Sequence, residues 1–328
     1  MAELVLEVKN LSITFFTKQG KLPTVDNLSF SLERGETLGI VGESGCGKSM
    51  TVNGILQMVP PPGKLTGGSV KLAGEELVGV KEKELCKKRG SDIAIIFQEP
   101  MTSLNPLMTC GRQISETILA HKKVSRKEAD GRALELIDLV GIPMPEKIFN
   151  SIPGRLSGGM RQRIVIAMAL CHNPGVLICD EPTTALDVTV QAQILGLINE
   201  LKEKFGTAVI FITHDLGVIR QMADKVLVMY VGQAVECVDA RELFANPLHP
   251  YTQGLIRCIP GMDGGDGDLY VIDGSVPMLY DLPKGCLFAP RCPYAGERCR
   301  QERPGLYGRE GHRVRCFRCE SMGEEAAP

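Results

Sequence analysis

The sequence predicts an α/β fold, and three observations carry the prediction. The runs "GVLICDEP" and "TAVIFITHD" are too continuously apolar to have a wet face, as expected of strands in a parallel sheet covered on both sides. From "SGGMRQRIVIAMAL" to "FITHDLGVIRQMADKVLVMYVG" helical and strand-like patterns alternate. Upstream, the apolar run "TLGIV" passes directly into a glycine-rich loop that opens a helix.

Taken in order, residues 3–40 read as short strands separated by turns, "LVLEVKNLSITF" and then "VDNLSFSLERGETLGIVG", with "ERGE" as a turn. A helical pattern runs from Ser49 to Val59, where "PPPG" stops it, because proline lacks the amide hydrogen that a helix interior requires. Strands and turns return as far as "SDIAIIFQEP". Residues 112–150 then change character, with helical patterns in "RQISETILAHK" and "RKEADGRALELIDLVG" that predict an insertion of two or three helices. After the alternating stretch, "FANPLHPYTQGLIRCIP" can supply a short helix and "GMDGGDGD" a flexible turn. Residues 283–319 read as irregular and rich in Cys, Pro and Arg. Such a segment cannot build much apolar core, so something other than hydrophobic burial must order it.

Composition sets bounds on function. A chain of 328 residues, 44% hydrophobic and 23% charged, can bury a full core and carry a second, smaller module. Runs such as "VLVMYV" are far too short to cross a bilayer, and no charged head precedes a hydrophobic stretch with a cleavage site. The expected location is the cytoplasm, where the 12 cysteines stay reduced. Cys46, Cys86, Cys110, Cys171, Cys179, Cys237 and Cys258 are dispersed and read as small buried or half-buried side chains. A net charge of −2 gives no global case for nucleic-acid binding, although residues 283–318 hold nine Lys or Arg against three Glu.

The chemistry starts at "GESGCGKS", residues 42–49, which fits G-x-x-x-x-G-K-[ST] in a strand-to-helix context. Small residues let the backbone curl around phosphate oxygens, so that the amides of Gly45, Cys46, Gly47 and Lys48 can point inward. Lys48 brings charge to the β/γ phosphates, the Ser49 hydroxyl can ligate Mg²⁺, and Cys46 is a spacer. "VLICDEP" puts Asp180 and Glu181 at the end of a buried strand, where carboxylates are costly unless a metal or polarised ligand uses them. Asp180 would hold magnesium, and Glu181 would orient and polarise the attacking water.

"LSGGMRQR" joined to this loop resembles the signature of ABC transporter ATPase subunits, and the matches continue in order over residues 3–260: Gln98 in "IIFQEP", residues 156–162, the acidic pair, "ALD" at residues 185–187, and His214 in "FITHD". The resemblance implies a P-loop NTPase of ABC ATPase type with an antiparallel β subdomain, a helical subdomain at about 99–155 and a Cys-rich C-terminal extension at 261–328. It implies head-to-tail pairs, with ATP and Mg²⁺ clamped between the phosphate loop of one subunit and the signature of the other. Nucleotide contacts would come from Phe15, stacked on adenine, from Gly42, Ser44, Gly45, Cys46, Gly47, Lys48, Ser49 and Met50, and from Ser157, Gly158 and Gly159 acting on the partner's nucleotide. Ser49, Gln98 and Asp180 would surround Mg²⁺. Lys48, Gln98, Glu181 and His214 would carry catalysis, and Asp187 would communicate across the pair.

"FQEPMTSLNPLMTCGRQISE", "ELFANPLHPYTQGLI" and "CLFAPRCPYAGERC" resemble the subunits that drive uptake of dipeptides, oligopeptides and, in close relatives, nickel. The partners implied are two permease subunits, a second and nonidentical ATPase, and an extracytoplasmic peptide-binding protein, at the cytoplasmic face of the inner (plasma) membrane. A soluble ABC-type ATPase acting on nucleic acid or ribosomes is the rival from another class; a single set of motifs and a slightly acidic chain weigh against it.

Five cysteines, Cys286, Cys292, Cys299, Cys316 and Cys319, fall within 34 residues. Read from spacing, four thiolates could hold a structural zinc, but only Cys316 and Cys319 have the C-x2-C interval such sites favour. The wider intervals, with Pro293 after Cys292 and arginines to offset negative charge, suit an iron–sulfur cluster. The resemblance implies a [4Fe–4S] cluster on Cys286, Cys292, Cys299 and Cys316.

Overall fold

The computed structural model describes residues 3–184, 186–259, 270–309 and 311–322. The strands are β1 Leu4–Thr17, β2 Gly20–Glu33, β3 Thr37–Val41, β4 Gly63–Leu72, β5 Glu75–Glu76, β6 Ile93–Ile96, β7 Val176–Asp180, β8 Ala208–Ile212, β9 Lys225–Tyr230, β10 Gln233–Asp239, β11 Tyr307–Arg309 and β12 His312–Val314. The chain divides into two compact units, one of Met1–Gly79 with Phe211–Pro328 and one of Val80–Ile210.

In the first unit β2, β1, β4 and β5 form an antiparallel sheet in that order. The short strands predicted at the N-terminus are two strands of 14 residues each, paired Leu6↔Leu32, Val8↔Phe30 and Ile13↔Val25. They continue through polar interruptions because Asn10 (φ 51°) and Asn27 (φ 53°) adopt left-handed backbone where the register shifts. Leu6, Val8, Leu11 and Ile13 are fully buried along the apolar face of β1.

The same unit holds the strand order β11-β12-β10-β9-β3. β3 and β9 are parallel, with Gly39↔Val226 and Val41↔Val228 in register, and β10 returns antiparallel to β9. All five residues of β3 are buried, which explains why "TLGIV" shows no alternation. The helix after the glycine-rich loop is Lys48–Ile55, shorter than the predicted stretch to Val59. It stops at Gln57 (φ 54°), whose N–H donates to Gly54 O at 3.1 Å while the Met58 N–H donates to Asn53 O at 2.7 Å. That pair of bonds is a Schellman closure, formed before the prolines are reached.

The segment read as irregular contains the hairpin β11–β12, whose β12 pairs with β10 as Glu236↔Val314 and Val238↔His312. No distinct Cys-rich extension is evident: its strands continue the sheet of the first unit. The reason is local sequence, since "LYGREGHRV" carries two glycines between its apolar ends, and Gly308 and Gly311 both take positive φ. The "GMDGGDGD" turn lies outside the described residues.

In the second unit β6 and β7 are parallel, paired Ile93↔Val176 through Ile96↔Cys179. The predicted helical insertion is three helices, Cys110–His121, Arg126–Leu139 and Pro145–Phe149. Ser125 and Glu128 close the second with a capping box, Ser125 N–H to Glu128 Oε2 at 2.7 Å and Glu128 N–H to Ser125 Oγ at 3.2 Å. The helices Gly158–Leu170 and Val188–Phe205 follow, the latter ended by Gly206 at φ 63°. The expected antiparallel and helical subdomains are therefore both present. Among the described residues no helix is long and apolar enough to cross a membrane.

Candidate functional site

In the first unit β3 delivers the chain into the loop at Gly42. The Gly42 and Glu43 carbonyls accept hydrogen bonds from Lys48 Nζ at 2.7 and 3.1 Å, and Lys48 is only 6% exposed. Both acceptors are neutral carbonyls, which satisfy the hydrogen bonds a buried ammonium needs. Gly47 caps the following helix at φ 101°, and a Cβ there would lie 2.5 Å from the Thr24 carbonyl, so the turn requires glycine. Ser44, Gly45 and Ser49 are exposed and Met50 is half-buried. The Cys46 amide donates to Glu43 O at 3.3 Å instead of pointing to a ligand. Burial pushes the Cys46 thiol up, against the pull of Lys48, so the group stays neutral.

Phe15 is half-buried on β1, against Gly63, where a Cβ would meet its ring at 2.7 Å; Phe16 is the more exposed of the two. His214 is exposed just past β8, between Thr213 and Asp215. Asp215 caps the helix Leu216–Met222 through Gly217 N and Val218 N at 2.7 and 3.3 Å.

In the second unit β7 ends on Asp180, 9% exposed, and Glu181 follows with φ 47°, a left-handed backbone that is costly for a residue with a Cβ. That turn sets the Glu181 carboxylate 3.0 Å from Gln98 Nε2 and 3.0 Å from the Thr184 hydroxyl. Ser157 caps the helix Gly158–Leu170, its hydroxyl accepting from Met160 N at 3.3 Å, with Gly158 and Gly159 in the first turn. Asp187 caps the helix Val188–Phe205 through Val190 N at 2.9 Å, while Ala185 of "ALD" lies outside the described residues. The unit thus gathers a hydrogen-bonded carboxylate, a buried aspartate and an open helix N-terminus, the parts needed to activate water and bind phosphate.

Comparison with known proteins decides the family. Residues 25–184 match the family model described as "ABC transporter", and the oligopeptide transport ATP-binding protein AppD of Bacillus subtilis (strain 168) is 50% identical over 323 residues, 98% of each chain. The chain belongs to the ABC transporter ATPases. Residues 235–299 also match "Oligopeptide/dipeptide transporter, C-terminal region". The oligopeptide transport ATP-binding protein OppD of Salmonella typhimurium is 47% identical, covering 97% of this chain and 94% of that one. A dimeric ATP-binding cassette solved in a post-hydrolysis state bound to ADP and Pi superposes with a TM-score of 0.65 at 29% identity, over 72% of this chain and 99% of that structure.

For this ABC ATPase the metal centre expected in the tail is overturned. Cys286, Cys292, Cys299 and Cys316 line a common pocket with His249 and Phe288. Yet among the described residues no group of three or more His, Cys, Asp or Glu side chains is arranged to hold a metal ion, so neither the [4Fe–4S] cluster nor zinc stands. Burial pushes the Cys286, Cys292 and Cys319 thiols up, and Cys316 up to about 11. The arginines assigned to offset a cluster's charge meet the chain's own carboxylates: Arg298 with Glu302 and Glu320, Arg303 with Asp26, and Arg291 with Glu43.

Strand pairing and a buried polar contact order the segment instead. Fully buried Glu236 accepts from Leu248 N, His249 N and His312 Nε2 at 2.8, 3.0 and 2.8 Å, and Tyr307, Val314 and Cys319 form a small apolar cluster. Sequence reading missed Thr184 and Tyr251, whose hydroxyl accepts the Glu43 N–H at 2.9 Å. Thr184 was findable as a hydroxyl three residues past Glu181 in a turn; Tyr251 had no local signal, being 208 residues from its partner.

Proposed function

We propose that this chain is the ATP-binding and ATP-hydrolysing subunit that powers import of dipeptides or oligopeptides through separate permease subunits, at the cytoplasmic face of the inner membrane. The observation that carries the reading is the joint presence of the ABC transporter match and the oligopeptide/dipeptide C-terminal match in one chain. Phosphates would rest on residues 42–49 with Lys48 supplying charge, Phe15 would stack on adenine, and Ser49, Gln98 and Asp180 would surround Mg²⁺. Glu181, oriented by Gln98 and Thr184, would accept the proton of the attacking water, and His214 would meet the γ-phosphate. Ser157, Gly158 and Gly159 would close on the nucleotide of a second, nonidentical ATPase. Residues 1–260 would form the motor, with about 99–155 passing its motion to the permeases. Residues 261–328 would be a segment particular to the peptide branch, joined to the motor's sheet.

The test is reconstitution with both permeases, the second ATPase and the extracytoplasmic binding protein. Peptide-loaded binding protein is expected to stimulate ATP hydrolysis. Stimulation by a nickel-loaded binding protein and none by peptide would reject the peptide reading.

A further inference from the structure

We propose that Arg291 is a positioning residue for the phosphate loop, acting through Glu43; the proposal rests on the reading of that loop as the ATP site. Glu43 is the loop's second residue, and each of its polar groups is engaged. Its N–H donates to Tyr251 Oη at 2.9 Å, and its carbonyl accepts from Lys48 Nζ at 3.1 Å and Cys46 N at 3.3 Å. Its carboxylate takes a two-pronged grip from Arg291, Nη1 to Oε2 at 2.6 Å and Nη2 to Oε1 at 3.0 Å.

Arg291 is itself held on its other sides. Nε donates to Asp273 O at 2.9 Å, Nη2 to Ile272 O at 3.3 Å and Nη1 to Tyr230 Oη at 3.5 Å, which commits all the N–H donors of a guanidinium. Its side chain is 3% exposed. Beneath it Tyr230, Tyr251 and Phe288 pack with ring centroids 4.7 to 5.4 Å apart, and the guanidinium carbon lies 5.9 Å over Tyr230. A planar fork on a rigid aromatic floor fixes the direction of its carboxylate partner, which a lysine could not do.

Docking the C-terminal segment does not require this pair. That segment is already tied down by β12 on β10, by His312 on Glu236 and by Arg315 on the Ala234 carbonyl at 3.1 Å. What Arg291 adds is control of one loop residue whose carbonyl is a partner of Lys48. A shift of Glu43 shifts the ammonium that would meet the β/γ phosphates.

The experiment compares full-length wild type, Arg291→Gln, Glu43→Gln, the double variant and Arg291→Lys. It reads mant-ADP affinity, KM and kcat for ATP, and Tm. Positioning predicts that both single glutamine variants weaken mant-ADP by about tenfold and raise KM with kcat nearly unchanged, that the double variant is no weaker than the worse single, and that lysine does not restore affinity. A mere effect of charge would give opposite signs, weaker binding in Arg291→Gln and tighter in Glu43→Gln, and would overturn the proposal. So would a lowered Tm with unchanged affinity, the mark of a structural staple. Should Arg291→Gln not fold, Glu43→Gln alone decides, because its carboxylate is at the more exposed end of the pair. Wild type that binds no mant-ADP would sink the nucleotide reading itself, a result distinguishable from normal binding in every variant.

Discussion

Gln98 donates its side-chain amide to Oε2 of Glu181 across 3.0 Å, and the Thr184 hydroxyl reaches the same oxygen from 3.0 Å. Both donors are neutral, and together they fix the direction of the carboxylate, which a proton acceptor needs. Glu181→Gln is expected to retain ATP binding and lose hydrolysis by roughly 10²–10⁴-fold, the usual contribution of a positioned base. Single-turnover hydrolysis beside nucleotide titration checks it; undiminished turnover would remove Glu181 from the mechanism.

Gly47→Ala places a Cβ 2.5 Å from the Thr24 carbonyl on a backbone at φ 101°. Relief requires the loop to move, so nucleotide affinity should collapse and stability fall by about 1–3 kcal/mol. Chemical denaturation and mant-ADP titration read both effects, and wild-type affinity in the alanine variant would contradict the loop geometry.

Glu236→Leu removes the acceptor of three N–H groups in a fully buried place. Loss of roughly 3 kcal/mol is expected, since the abandoned donors find no water. A urea midpoint equal to that of wild type would show the contact to be dispensable.

His249 is 2% exposed, and burial lowers its pKa to about 4, with Glu236 pulling upward and Arg315 in both directions. Its Nδ1 accepts the Tyr251 N–H at 3.0 Å, a role the imidazolium cannot fill. The unfolded chain, titrating near 6.5, binds the proton first, so this contribution is fully present above pH 6.5 and is lost as pH falls toward 4. Its size is up to about 3 kcal/mol. His249→Asn, which keeps an acceptor for the cap, should flatten the stability profile over that window. A profile as steep as that of wild type would assign the loss to other groups.

Gln162 is fully buried with neither side-chain amide atom hydrogen-bonded among the described residues. Gln162→Met, similar in shape and without the polar atoms, should stabilise the fold by about 1 kcal/mol. A fall in Tm would show that the amide has a partner in the native protein.

What the sequence made legible was whatever depends on neighbours along the chain. The apolar run into "GESGCGKS", the buried strand ending on Asp180 and the helical pattern in "RKEADGRALELIDLVG" are each decided within about fifteen residues, and each is where the pattern put it. Contacts across long separations were not legible. Nothing near Glu43 announces Arg291, 248 positions away, and nothing near β10 announces that residues 312–314 lie beside it. The cysteine spacing misled for the same reason. Intervals between thiols suggested ligands, while the arginines among them were already matched to carboxylates elsewhere in the chain.

The pairing of β12 with β10 also covers a strand margin that would otherwise be open. A chain cut after residue 259 would leave residues 236–238 as a bare margin of N–H and C=O groups, with the flanking strand gone. Such a margin recruits any passing strand, including its copy in another molecule. The closing hairpin is thus a selvedge, and shortening the protein to its motor would favour clumping as well as remove Arg291 from the phosphate loop.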